Sequence, residues 1–481
     1  SDLTSDALVP GRTLAAERLA LTVTPQAARV AGALSLSGVP ARAEWVQPLP
    51  PPRAGPPDPD APPRPMPQAR VTGTAEVTEA GLARLGVSLG AVEMSGAAQA
   101  AFEVVLGGGP PRLSVASDLR GAGLALPAVG WRKPAATGGR LTLEATLGRP
   151  AAVEALEISA PGLSASGRVT LAQGGGLGRA RLDAVDLGWF RGAVTLTGRG
   201  AGRAPAVAVT GGRADLRRAL PRLGGGGGGG GGGGPVTLSL DRLTVTDGIE
   251  LSDLRAELST GGGPSGRFTA RLNALQPVEG TLGPAGGGTG LEMRSADMGA
   301  VLRAAGLFAD ARGGQGVLTL RPTGRAGVYD GTLRATGLRI ANSSNLARLL
   351  QAASVGGLID QLTGAGVLFE TVAAEFAFLP GAGIRLGRAS AVGPQLSVTA
   401  EGAYDLRSRR IDLEGVLSPL GAVNRLLGAV LGPRPDEGLI GFTYRLTGEV
   451  GAPRVSVNPL SALTPGVFRE IFRRAPPAAR D

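Results

Sequence analysis

Apolar and polar residues alternate at period two along most of the chain, with Gly or Pro interrupting the alternation about every 8 to 15 residues. That pattern predicts consecutive antiparallel strands, each with one apolar face. Leu141, Leu143, Ala145 and Leu147 alternate with Thr142, Glu144 and Thr146, which puts the four on one face. Leu19, Leu21 and Val23 repeat the pattern. So do Val236, Leu238 and Leu240; Leu254, Ala256 and Leu258; and Phe268, Ala270 and Leu272. Helical spacing is confined to short stretches: 78–85, 296–307 behind Ser295 as N-cap, 345–362 with a break at Gly356-Gly357, and 420–431. A last helix opens at Pro465, where Phe468, Ile471 and Phe472 share a face opposite Arg469, Glu470 and Arg473.

An internal echo joins two of the predicted strands. Leu163-Ser164-Ala165-Ser166-Gly167-Arg168-Val169-Thr170-Leu171 aligns without gaps to Val398-Thr399-Ala400-Glu401-Gly402-Ala403-Tyr404-Asp405-Leu406. Repetition of this kind fits a sheet grown unit by unit, each unit burying its apolar face against neighbours or a ligand. The fold class expected is therefore mainly β: an elongated, curved antiparallel sheet forming a repeating groove, with a few short helices mostly in the C-terminal third. Two compositional interruptions divide it. Residues 48–69 hold a proline-rich loop or linker, with eleven prolines between Pro48 and Pro67, and residues 224–234 are eleven consecutive glycines read as a loop. The organisation expected is groove strands over 1–47, groove repeats over 70–223, further repeats with a short helix over 235–340, a distinct C-terminal region over 341–474, and a tail over 475–481.

Composition then removes most chemistry. The 481 residues include no histidine and no cysteine, so there is no imidazole acid/base, thiolate nucleophile, His- or Cys-ligated metal, or disulfide. Gly86-Val87-Ser88-Leu89-Gly90 fits a nucleophile pattern but lacks any histidine base and reads as a turn. Asp405, Asp412 and Glu414 are close in sequence, yet Asp412 and Glu414 alternate with Ile411 and Leu413 as the outer face of a strand would. The chain is read as a non-enzyme, with no catalytic residue, metal or cofactor. Its net charge of +10 is carried by arginine, Lys133 being the only lysine; such charge suits solvated strand faces or anionic lipid headgroups, whose phosphates match the guanidinium fork. Nucleic acid is disfavoured as a partner, because three Trp, three Tyr and ten Phe give no aromatic interleaving with the basic positions. No stretch reaches the roughly 20 apolar residues of a membrane-spanning helix.

The C-terminal third carries a recognisable series of motifs. Asn345-Leu346-Ala347-Arg348-Leu349-Leu350, Ala353-Ser354-Val355-Gly356-Gly357-Leu358 and Gly364-Ala365-Gly366-Val367-Leu368-Phe369 are followed by Gly438-Leu439-Ile440-Gly441-Phe442 and by Val455-Ser456-Val457-Asn458-Pro459-Leu460-Ser461-Ala462-Leu463-Thr464-Pro465-Gly466. Together they resemble the AsmA-like C-terminal region of bacterial envelope proteins, and the upstream part, with Trp45 and Trp131, is similar to the large YhdP-type branch of that family. The resemblance implies a periplasmic protein tethered to the inner membrane by an N-terminal helix outside this chain, taking part in phospholipid transport between inner and outer membrane and in outer-membrane homeostasis. Acyl chains of phospholipids would lie on an aliphatic groove. Its candidate residues are Leu141, Leu143, Leu147, Leu163, Val169, Leu171, Val236, Leu238, Leu240, Val398 and Leu406. The helix with Phe468, Arg469, Ile471, Phe472 and Arg473 would touch a membrane or partner, or cap the sheet. Two other readings fit the strands: a non-transporting envelope assembly scaffold, and an outer-membrane β-barrel, which the scarcity of aromatic residues disfavours.

Overall fold

The computed structural model describes residues 3–9, 11–50, 67–148, 150–173, 176–200, 202–223, 233–286, 288–325, 327–352, 365–379, 383–419, 441–450 and 452–458. The core of the proline-rich run, most of the glycine run, the expected helix at 420–431, and the C-terminal helix with Phe468, Arg469, Ile471, Phe472 and Arg473 lie outside these residues. The chain divides into two compact units. One comprises 1–214 with 221–236, the other 215–220 with 237–481.

Alternation becomes strand throughout. In the first unit fourteen strands, from Leu3–Val9 to Ala206–Asp215, pair in an antiparallel ladder. From Ala27–Leu36 onward each main-ladder strand pairs with the next. At the N-terminal end Arg12–Ala16 and Leu19–Val23 share one edge of Ala27–Leu36. Three short strands, Glu93–Gly96, Ala122–Leu126 and Trp131–Lys133, leave the ladder and form a small sheet of their own. In the second unit thirteen strands, from Glu250–Ser259 to Arg454–Asn458, pair antiparallel in the same way, the two-residue strand Ala311–Arg312 on the end of Tyr329–Ile340. The fold is mainly β with few helices, and among the described residues the sheet does not close into a barrel.

Helices occupy the ends of strands. Glu79–Arg84 is capped by Thr78, whose side chain accepts the Gly81 N–H. Met298–Ala304 starts later than expected. Its N-cap is Asp297, which accepts the Ala300 N–H at 2.8 Å, while Ser295 bonds only to the Asp297 N–H. Ser344–Ala352 supplies the described part of the expected 345–362 helix. Leu216–Leu223 was not expected: Pro221 inside it and the glycine run behind it hide the helical period.

Candidate functional site

Residues directly opposite in an antiparallel ladder share a face, so register pairs can be followed from strand to strand. In the first unit one such row runs Leu21, Val30, Trp45, Val71, Val104, Leu113, Ala145, Val153, Val169, Ala180, Leu196, Val207. The row beside it runs Leu19, Gly32, Ala43, Gly73, Phe102, Val115, Leu143, Leu156, Gly167, Leu182, Val194, Val209. No polar side chain interrupts either. The alternate positions carry the opposite face, with rows such as Arg70, Val105, Arg112, Thr146 and Thr72, Glu103, Ser114, Glu144. At about 4.8 Å per strand each twelve-strand row is roughly 50 Å long.

The second unit repeats the plan. One row there reads Leu258, Gly266, Leu282, Leu291, Leu320, Gly331, Phe376, Leu386, Gly402, Leu413, Leu446, Val455, again without a polar side chain.

Exposure shows how far these faces are covered. Inner-face residues of a sandwich are buried by the facing sheet. Here Val115, Leu143, Val153, Leu156, Val169 and Leu182 in the first unit, and Leu282, Leu291, Leu320 and Leu386 in the second, are only half-buried. Full burial is concentrated at one set of strand ends. In the first unit the helix Glu79–Arg84 and the small sheet sit there, over Val39, Ala98, Leu163, Val185 and Phe190. The Trp131 indole N–H donates to the Pro161 carbonyl at 3.0 Å and Trp189 to that of Val129 at 3.4 Å, fastening the cap to the ladder. In the second unit Leu346, Leu349 and Leu350 of Ser344–Ala352 pack on Val367, Phe369, Leu396, Leu417 and Tyr444, while Met298, Val301 and Leu302 are buried on the neighbouring helix. Each apolar face is thus walled at one end of its strands and open at the other.

The sequence-predicted residues fall in different parts of this arrangement. Leu141, Leu143 and Val169 line the open floor. Leu163 is buried at the capped end. Leu147, just past Arg140–Thr146, and Leu171, at the last position of Leu163–Leu171, are exposed at the open rim, at 43% and 38%. Leu147 therefore does not belong to the strand whose face it was expected to share. Val236 and Leu238 are half-buried and Leu240 buried along Pro235–Thr244. Val398 is partly buried and packs against the edge of the cluster under Ser344–Ala352. Leu406 falls in the turn after Leu396–Asp405, where the aligned strand has already ended. The echo itself has a structural counterpart: Gly167 and Gly402 both face the apolar side opposite leucines, Leu182 and Leu413, where a Cβ would strike the neighbouring backbone.

The residues weighed for catalysis lie apart, in turns and on the polar face. Ser88 lies beyond the helix Glu79–Arg84 and accepts the Gly90 N–H in a turn. Asp405 accepts the N–H groups of Ser408 and Arg407, which hold its carboxyl below the usual carboxylate range, the Ser408 bond contributing most. Asp412 receives two guanidinium nitrogens of Arg445 on the polar face.

Two features escaped the sequence reading. Lys133, the chain's only lysine, is buried, and its ammonium donates to the carbonyls of Ala122, Leu119 and Pro134 at 2.6, 2.7 and 3.3 Å. Burial pushes its pKa down, and Asp118 opposes the shift. A lone lysine in an arginine-rich chain was the available signal. The second is a depression of about 680 Å³ on the polar face, which opens among Thr72, Glu103, Ser114, Thr142, Glu144 and Glu157 with small alanines between them.

Among the described residues no helix is long and apolar enough to cross a membrane. Comparisons with protein-family models, curated proteins and solved structures find no match to this chain.

Proposed function

We propose that this chain is a lipid-carrying groove protein whose aliphatic sheet faces shield acyl chains while headgroups remain in water. The observation that carries the reading is the unbroken apolar row set of the first unit. Two neighbouring rows about 50 Å long, many of their aliphatic residues only half-buried, make one continuous apolar strip, the kind of surface that marks an interaction site or ligand groove. One acyl chain spans about half of the roughly 30 Å hydrocarbon core of a bilayer, so a row accommodates several chain lengths end to end. Smooth walls of Val, Leu and Ala, without a deep pocket, favour sliding over tight retention. Such carriage makes and breaks no covalent bond, consistent with a chain that has neither histidine nor cysteine.

The envelope setting rests on the resemblance of the C-terminal motifs to the AsmA-like region. On that reading the protein works in the periplasm and moves phospholipid toward the outer membrane. Mass spectrometry of protein extracted gently from its native membranes should find co-purifying phospholipid, released on denaturation. A lipid-free protein under those conditions overturns the proposal.

A further inference from the structure

Charge is not evenly spread over the first unit. Residues 69–162 carry eight basic and eight acidic side chains, whereas residues 163–215, to the end of the strand Ala206–Asp215, carry seven arginines against three aspartates and no glutamate. A coding preference for arginine over lysine accounts for the residue type but not for this segregation. Five of the seven, Arg168, Arg179, Arg181, Arg191 and Arg213, fall on the hydrophilic face of four consecutive strands. Arg168 and Arg181 are direct cross-strand partners, and so are Arg191 and Arg213. Like charges placed directly opposite weaken a sheet. Asp183 bridges Arg168 and Arg181 at 3.7 and 2.8 Å, and Asp186 pairs with Arg191. Arg168 and Arg181 therefore share one carboxylate and Arg191 has another, while Asp215 at the end of the last strand is taken up by Arg217, so the patch keeps a positive excess. The side chains of Arg168, Arg181 and Arg191 remain 65%, 66% and 61% exposed.

We infer that this arginine face docks on the anionic surface of a lipid bilayer. The five guanidiniums spread in two dimensions, over roughly 15 by 20 Å of sheet, as a planar array of phosphates requires. A linear polyanion would call for a track, and a single-stranded nucleic acid for aromatic platforms. No aromatic side chain lies among these arginines on this face. The contact is separate from the apolar face, which lies on the other side of the same strands, so it stands whether or not that face carries lipid.

The test is co-sedimentation of the whole protein with phosphatidylcholine vesicles containing 30% phosphatidylglycerol. Binding is expected to the anionic vesicles, not to pure phosphatidylcholine, and to fall away at high salt. The triple variant Arg168→Gln, Arg179→Gln, Arg181→Gln should bind about a hundredfold more weakly, while Arg42→Gln with Arg112→Gln, on the same face of earlier strands, should bind nearly as wild type. Because it relieves opposed charges, the triple glutamine variant should melt no lower than wild type. If it melts lower, the corresponding triple lysine variant decides, retained binding supporting the inference and lost binding overturning it. Equal binding of the folded glutamine variant, equal binding to pure phosphatidylcholine, or tighter arginine-dependent binding to a short DNA duplex also overturns it.

Discussion

Glycine has a specific task on the apolar faces. Gly73, Gly280 and Gly331 are the direct cross-strand partners of Phe102, Phe268 and Phe376. A Cβ at any of the three would run into the facing ring. The ring therefore covers its partner's bare backbone, and a large side chain fits a strand surface without a second layer above it. Gly331→Val should lower stability by about 2 kcal/mol through overpacking, read as a shift of the urea midpoint. The double variant with Phe376→Ala should recover part of the loss, giving a coupling well above 0.5 kcal/mol; additive losses would show that ring and glycine do not depend on one another. Alternation made the faces legible in the sequence, since Leu141, Leu143 and Ala145 lie where period two put them. The glycine–phenylalanine pairs were not legible. They depend on cross-strand register, and no single strand carries that information. Lys133 is similar: its three carbonyl acceptors come from chain segments brought together by the small sheet.

At the scale of elements, the sheet needs its caps because a single layer buries little by itself. Ser344–Ala352 is the clearest case: Leu350 is fully buried and Leu349 is 4% exposed, against partners from four strands. Leu350→Ala should cost about 2–5 kcal/mol in equilibrium unfolding, and a loss below 1 kcal/mol would mean the helix is not held by this face. The heptad-like leucines of this helix were visible in the sequence. What they cover was not, because Val367, Phe369, Leu396, Leu417 and Tyr444 come from four strands that only the register brings together. The later start of Met298–Ala304 has a local cause. Asp297 reaches the Ala300 N–H, and Ser295 instead ends the preceding strand.

Within the first unit, two neighbouring chemistries are separated by one residue step along each strand. Leu143 belongs to an apolar row and Thr142, adjacent to it, to a polar one, in which Ala116 and Glu157 are its partners. Both are partly exposed, so either can accept a carboxylate without the cost of burying a charge. The lipid-carrying reading therefore makes opposite claims about two almost identical substitutions. Leu143→Asp puts a charge in the path of an acyl chain and should strongly reduce both co-purifying phospholipid and donor-to-acceptor transfer between vesicles. Thr142→Asp puts the same charge at the same height on the other face and should leave both near wild type. Matching circular dichroism and melting temperatures would show that the two variants are equally folded. If both lose lipid to the same extent, the effect is one of net charge or stability rather than of the face, and the apolar rows are not where lipid lies. If both retain full load and transfer, the first unit's floor is not the conducting surface. Only an asymmetric loss at Leu143 ties the period-two pattern of the sequence to carriage along the sheet.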